Sequence, residues 1–156
     1  MSRPAPSAGM MLGRHDRSSG YAALDMTDHA HAELTRILDR GDGFGHGEHL
    51  ELAWTLLGRL PAPAASAAIH ELLRHLAATH GMPERFHATL TEAWIHVVAR
   101  HRQLDPGRSF EEFLELHPML LDQRLMSHHY GADLLAEDAS RRTWVEPDIR
   151  PLPSLV

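Results

Sequence analysis

The chain has 156 residues, 43% of them hydrophobic, so it is long enough to bury one apolar core and too short for two typical domains. Its formal net charge is -6, with 21 acidic residues against 15 arginines and no lysine, which argues against binding a nucleic-acid backbone. The absence of cysteine excludes disulfides and thiolate-bound metals, whereas histidine is abundant, at 14 residues.

Residues 1–20 are rich in Ser, Pro, Gly, Ala and Arg and lack apolar periodicity, which predicts a disordered N-terminal arm before a single helical domain over residues 21–156. Within that domain, apolar periodicity and helix-breaking Gly and Pro residues predict a series of helices. In chain order these run over about Thr27–Arg40, His46–Leu60, Pro63–His80, Pro83–Gln103, Ser109–Leu116, Met119–His129 and Asp133–Arg142.

Local signals support these boundaries. Ser109 and Glu112 have the spacing of a capping box, which favours a helix start. The proline-rich segment Pro147–Pro153 cannot form a regular element and is expected to lie extended across the domain. Because no strand pattern is found, the predicted fold class is all-α: an up-down helical bundle of about five to seven helices with an extended C-terminal tail.

The second predicted helix begins with two histidines and two glutamates within six positions. At about 100° per residue, His46 and His49 share the apolar face with Leu50. Glu48 and Glu51 fall on the opposite side and are expected to face solvent. On the fourth helix the same projection places His87 on the apolar face.

Short connections make neighbouring helices antiparallel, so the start of the second helix, the end of the third and the start of the fourth share one end of the bundle. These positions carry His46, His49, His80 and His87. If the segment after Ser109 runs back toward this end of the bundle, it would bring His128, His129 and Tyr130 there as well. Several neutral imidazoles crowded in an aliphatic core would leave polar groups unpaired, and a bound cation resolves this.

The convergence predicts a metal site that uses His46, His49 and His87, completed by His80, His129, Glu84 or water. Three protein ligands leave a coordination position open, which favours a metal-dependent enzyme acting on a small molecule. Zinc would support hydrolysis, and iron or copper would support oxidation. Glu84 and Tyr130 are the candidate proton donors or acceptors, and Thr91 is a candidate partner of a ligand histidine.

Two alternatives remain open. The same histidines could hold a polar small ligand, or act as general acid and base, without a metal. They could also make the chain a pH-responsive interaction protein, because buried neutral histidines that become charged in acid destabilise a fold. A small-molecule substrate and a homodimer are the partners considered. No apolar run reaches the roughly 20 residues of a membrane span, and no signal peptide is recognised, so neither a membrane nor export is expected and the cytoplasm is the expected location.

Three stretches also carry a resemblance: FGHGEHLELAW from Phe44, HGMPERFHATLT from His80 and WVEPDIRPLP from Trp144. They resemble an uncharacterised family of small, histidine-rich, all-helical bacterial proteins. The resemblance covers residues 44–153 and implies a shared fold, but it implies no activity.

Overall fold

The structure, a computed structural model, describes the backbone of residues 17–155 and the side chains of residues 26–155. This part of the chain is helical and has no β-strand, which confirms the predicted all-α fold. The α-helices are α1 (Arg17–Leu38), α2 (His46–Leu57), α3 (Ala62–Thr79), α4 (Ala88–Leu104), α5 (Phe110–Leu116), α6 (Ala132–Ala136) and α7 (Asp138–Arg142). Short 3-10 helices span Pro83–Arg85, Pro118–Leu121 and Gln123–His128. Over the described residues, no helix is both long and apolar enough to cross a bilayer.

Three helices, α2, α3 and α4, pack against one another, and the contact between α2 and α4 is the most extensive in the bundle. Short connections of residues 58–61 and 80–87 join them in sequence, so neighbouring helices run antiparallel. Gly81 ends α3 with a φ of 69°, a left-handed conformation that costs glycine little. As a result, the start of α2, the end of α3 and the start of α4 lie at one end of the bundle.

The middle of the bundle is an aliphatic core. Its members come from all three of these helices and exclude solvent almost completely. Those with at most 3% exposure include Leu50, Leu52, Leu56, Ile69, Leu72 and Val98. Because packed side chains of this kind hold the helices rigidly, they fix the positions of the histidines at the bundle end.

Buried carboxylates hold α1 against α2. Glu51 is only 7% exposed, and its carboxylate contacts the guanidinium of Arg36 at 3.2 Å and that of Arg40 at 2.5 Å. The prediction that Glu51 faces solvent is therefore wrong, since α1 covers that side of α2. Glu48 behaves differently: its carboxylate accepts from the Gly45 backbone amide at 2.8 Å and so caps the start of α2.

The C-terminal tail after α7 is irregular, as expected, and histidine side chains hold it on the bundle. His129 Nδ1 donates to the Arg150 carbonyl at 3.0 Å, and His96 Nε2 donates to the Pro153 carbonyl at 2.6 Å. Two histidines thus stabilise the path of the tail, because each carbonyl gains a side-chain donor.

The first predicted helix begins too late. In the structure α1 starts at Arg17, about ten residues upstream of Thr27, because residues 21–26 include good helix formers that lack the expected periodicity. Residues 1–16 of the predicted arm lie outside the described residues, whereas residues 17–20 form the first turn of α1.

Later predicted helices are interrupted by local backbone preferences. The fourth is divided at His87, whose extended backbone makes it the N-cap of α4. The helix expected over Met119–His129 is 3-10 in character, since the Asp122 carboxylate accepts from the Arg124 amide and starts a new turn there. The last predicted helix is divided at Glu137, which has an extended conformation, with φ -70° and ψ 140°.

Candidate functional site

A cavity of about 620 Å³ lies at the bundle end where α2 and α4 begin and α3 finishes. Four of the five histidines predicted as metal ligands line it: His46, His49, His80 and His87. Thr91 and Arg85 are further polar lining residues. The walls toward the middle of the helices are apolar and include Leu50, Ile69, Leu73, Leu90, Ile95 and Val98. The cavity therefore has a polar end and an apolar interior.

His46 is the first residue of α2, and its ring is fixed from two sides. Nε2 lies 2.7 Å from the Leu120 carbonyl oxygen, and the ring packs edge-on against Trp94 with centroids 4.4 Å apart. Because a carbonyl oxygen can only accept, Nε2 carries the proton in the neutral ring, and Nδ1 is left as an acceptor. The Leu120 contact thus sets both the tautomer and the orientation of His46.

His49 follows one turn later and has the opposite tautomer. Its Nδ1 donates to the Gly45 carbonyl at 2.8 Å, which leaves Nε2 as the acceptor, and its ring contacts Phe44 with centroids 4.6 Å apart. Burial lowers the pKa of His49 below its usual 6.5, and the neighbouring His46 lowers it further, while the Gly45 hydrogen bond and Glu48 oppose the shift. His49 is consequently neutral at pH 7.

The two acceptor nitrogens, Nδ1 of His46 and Nε2 of His49, are accessible. No buried side-chain nitrogen or oxygen among residues 26–155 lacks a hydrogen-bond partner. These two nitrogens have no protein partner, so they must reach solvent or the cavity. The first turn of α2 therefore offers two hydrogen-bond acceptors to a molecule bound beside it.

His87 lines the same cavity, but both of its ring nitrogens are hydrogen-bonded to the backbone. Its Nδ1 accepts from the Leu90 amide at 3.2 Å, which caps α4, and its Nε2 donates to the Leu135 carbonyl at 2.9 Å. Both ring nitrogens are in use, so neither can bind a ligand unless a backbone bond is lost. His80, by contrast, is exposed at the end of α3, and its Nδ1 donates to the Leu76 carbonyl of its own helix at 2.9 Å.

The other predicted site residues lie away from the cavity lining. His129 binds the tail through the Arg150 carbonyl. Tyr130 is buried, and its hydroxyl donates to the Val145 carbonyl at 2.9 Å. Burial, aided by Glu146 and Asp148, raises the pKa of Tyr130 well above its usual value of 10. Glu84 is exposed, and its backbone carbonyl accepts from the Arg141 guanidinium. Of the candidate catalytic residues, only Thr91 lines the cavity.

The predicted ligands do not form a metal cluster in this geometry. Among the described residues, no group of three or more His, Asp or Glu side chains is placed to hold a metal ion. His46 and His49 are close in sequence and share a wall, but His87 is occupied and His80 is exposed at the rim. The predicted ligands His46 and His49 therefore share a cavity, but no third ligand is placed beside them in the described residues.

A second cleft lies on α3 and α4 beneath the tail, and its polar groups are already paired. Glu92 accepts from the Ser66 hydroxyl at 2.5 Å and pairs with His70 Nε2 at 2.7 Å. The hydrogen bond from His70 is the largest effect lowering the pKa of Glu92. Because these groups are hydrogen-bonded to one another, this cleft has fewer free polar groups for a ligand than the cavity has.

Residues 85, 86 and 123 also line the cavity, although no pattern in the sequence singled them out. Arg85 ends the 3-10 turn before α4 and Phe86 follows it, where a continuous helix was expected. The chain breaks between this turn and α4 at His87, and no pattern in the sequence predicts that break. Gln123 comes from a distant segment, which no local pattern reveals.

The function has to be inferred from the cavity itself. No family model matches the chain, and no curated protein or solved structure matches it. The resemblance of the three motifs to a bacterial family stays a prediction. The geometry offers an apolar chamber with a histidine-lined end, which is the arrangement of many small-molecule sites.

Proposed function

We propose that this protein binds a small, mainly apolar organic molecule whose polar group is held by His46 and His49. The observation that carries the proposal is that His46 and His49, each with one ring nitrogen free to accept, both line an apolar chamber of about 620 Å³. Small-molecule sites are typically apolar clefts of about 300 to 1,000 Å³ with a few converging polar groups.

Both histidines are pre-organised for this role. The Leu120 and Gly45 carbonyls each fix a tautomer, so the rings need not be reordered when a ligand arrives. Trp94 and Phe44 pack against the two rings and restrict their rotation. A ligand therefore meets rigid acceptors, and transfer of its apolar surface from water contributes about 25 cal/mol per Å².

The metal-dependent enzyme stays a prediction, since its ligand set lacks a third member in the described residues. Zinc, iron or copper held by His46 and His49 would still require another donor. The Leu120 and Gly45 contacts are compatible with metal binding, because ligand histidines commonly donate their other ring N–H to a carbonyl. The metal-free alternative needs only the groups already in place, so it is the function that this geometry supports better.

The proposal can be tested with N-phenylnaphthylamine, a neutral dye that carries one N–H donor and fluoresces strongly in apolar surroundings. We expect saturable binding of one dye per chain. Ala77→Phe should abolish binding, because Ala77 lines the cavity and a phenyl ring would fill it. Ala67→Phe is the matched control: Ala67 is exposed on the same helix, outside the lining.

Two results would contradict the proposal. One is the absence of saturable binding to the folded wild-type chain. The other is equal binding by the Ala77→Phe and wild-type proteins, with both shown to be folded by circular dichroism, because the dye would then occupy another surface.

A further inference from the structure

Polar groups of His46, His49 and Thr91 in the cavity lining have no hydrogen-bond partner among the described residues. The two rings each donate one N–H to a backbone carbonyl, so Nδ1 of His46 and Nε2 of His49 remain as acceptors in the neutral rings. The hydroxyl of Thr91 is also accessible, because no buried side-chain oxygen in residues 26–155 lacks a partner. A ligand in the cavity therefore meets two acceptors and one hydroxyl.

These groups lie on adjoining faces of α2 and α4. The His46 ring packs edge-on against Trp94, with centroids 4.4 Å apart. Thr91 precedes Trp94 by three residues on α4, so the two side chains share one face of that helix. His49 follows His46 by the same spacing on α2. The Trp94 contact thus brings the acceptors of α2 and the hydroxyl of α4 to the same end of the cavity.

A hydroxyl is the neutral group that complements this set. Its hydrogen can be donated to a free ring nitrogen while the same oxygen accepts from Thr91. We infer that the ligand is an alcohol or phenol with an apolar body, whose hydroxyl donates to His46 or His49 and accepts from Thr91. The body lies against the apolar wall that includes Leu50 and Ile69. This inference rests on the proposed function and names the class of its ligand.

Other polar groups fit this lining less well. A ketone or a carboxylate can only accept, so its lone pairs would face those of the free ring nitrogens. An ammonium group would lose its water shell without gaining a carboxylate, since the described lining contains no Asp or Glu. Arg85 and Gln123 are further donors of the lining, but no hydrogen bond or ring contact of the described residues ties either of them to the α2 histidines.

The test compares two probes that share one carbon skeleton: acetonaphthone, a ketone, and naphthylethanol, the alcohol obtained from it by reduction. Each is titrated to displace N-phenylnaphthylamine from the full-length protein at about pH 8, above the usual imidazole pKa near 6.5. Both probes can accept from Thr91, so the difference between them isolates donation to a histidine. We expect the alcohol to bind about two- to tenfold more tightly, the effect of one neutral hydrogen bond.

Replacement of Thr91 tests the other half of the contact. Thr91→Val keeps the shape of the side chain and removes its hydroxyl, so it should weaken both probes by about two- to tenfold. Thr79→Val is the matched control, because Thr79 is exposed at the end of α3 and lies outside the lining. It should leave both affinities unchanged.

Replacement of the two rings should remove the preference for the alcohol. In the double variant His46→Phe and His49→Phe the acceptors are gone, so the two probes should bind equally. His75→Phe, exposed on α3 outside the lining, should retain the wild-type preference. Circular dichroism shows whether each variant is folded, and the comparison of the two probes on the wild type decides the inference even if the double variant does not fold.

The possible failures are distinguishable. If the dye and both probes fail to bind the folded wild type, the proposed function itself fails. The hydroxyl inference alone is overturned if the dye binds and neither probe displaces it, or if the ketone binds the wild type as tightly as the alcohol does. It is also overturned if Thr91→Val leaves both affinities unchanged, or if the folded double variant retains the preference.

Discussion

Replacement of His87 distinguishes a structural histidine from a metal ligand. His87→Ala removes the acceptor that caps the Leu90 amide and the donor to the Leu135 carbonyl. A lost N-cap costs about 1 kcal/mol, and a part-buried carbonyl left unpaired costs about 1 kcal/mol more. The free energy of unfolding should therefore fall by about 2 kcal/mol. His87→Asn retains a capping oxygen but is too short to reach Leu135, so it should lose about half as much.

The assay is urea unfolding followed by circular dichroism, in one series with a chelator and in a second series with added zinc, iron or copper. His80→Ala is the control: this exposed histidine bonds only to its own helix, and the change should stay within about 0.5 kcal/mol. The reasoning is refuted if His87→Ala unfolds at the wild-type urea concentration in chelator and is destabilised only when a metal is supplied. That outcome would identify His87 as a metal ligand.

Three further predictions concern the surroundings of the site. Tyr130→Phe removes the hydrogen bond to the Val145 carbonyl and should lower the free energy of unfolding by about 1 kcal/mol in urea, with dye binding unchanged; lost binding would place Tyr130 in the site. Glu51→Gln should cost about 1 kcal/mol, because its arginine partners are half exposed, and salt should reduce this difference; an equal cost at high salt would contradict the ion-pair explanation. Burial lowers the pKa of His49 in the folded chain below about 6.5, its pKa in the unfolded chain. The free energy of unfolding of the wild type should therefore be highest above about pH 6.5 and should decline as pH falls toward the lower pKa of the folded chain. His49→Gln should flatten this decline in thermal melts, whereas an unchanged slope would show that other groups cause it.

Much of the polar end could be predicted because it depends on local rules. Helical periodicity put His46 and His49 on the apolar face of α2, and short connections placed them beside the end of α3 and the start of α4. The structure confirms the all-α fold and places both histidines, with His80 and His87, along one cavity. Periodicity and loop length are properties of neighbouring residues, so one sequence is sufficient to read them.

The roles of individual side chains were harder to predict, because they depend on distant partners. The sequence gives no sign that Leu135 accepts from His87, that Leu120 accepts from His46, or that α1 covers Glu51. His129 was expected near the cavity, but the packing of residues 117–155 directs it to the tail instead. Each of these positions is set by long-range packing, which local periodicity does not describe.

A nitrogen-edited nuclear magnetic resonance titration of the imidazole rings tests ligand binding at the histidine-lined cavity most directly. On addition of N-phenylnaphthylamine, the ring signals of His46 and His49 should shift and saturate together, since one free ring nitrogen accepts from the single N–H of the dye and the other ring lies one turn away beside the aromatic dye. The signals of His96 and His129, which hold the tail, should remain in place. Saturating shifts confined to His96 and His129, with His46 and His49 unchanged, would contradict the assignment of the ligand site to this cavity.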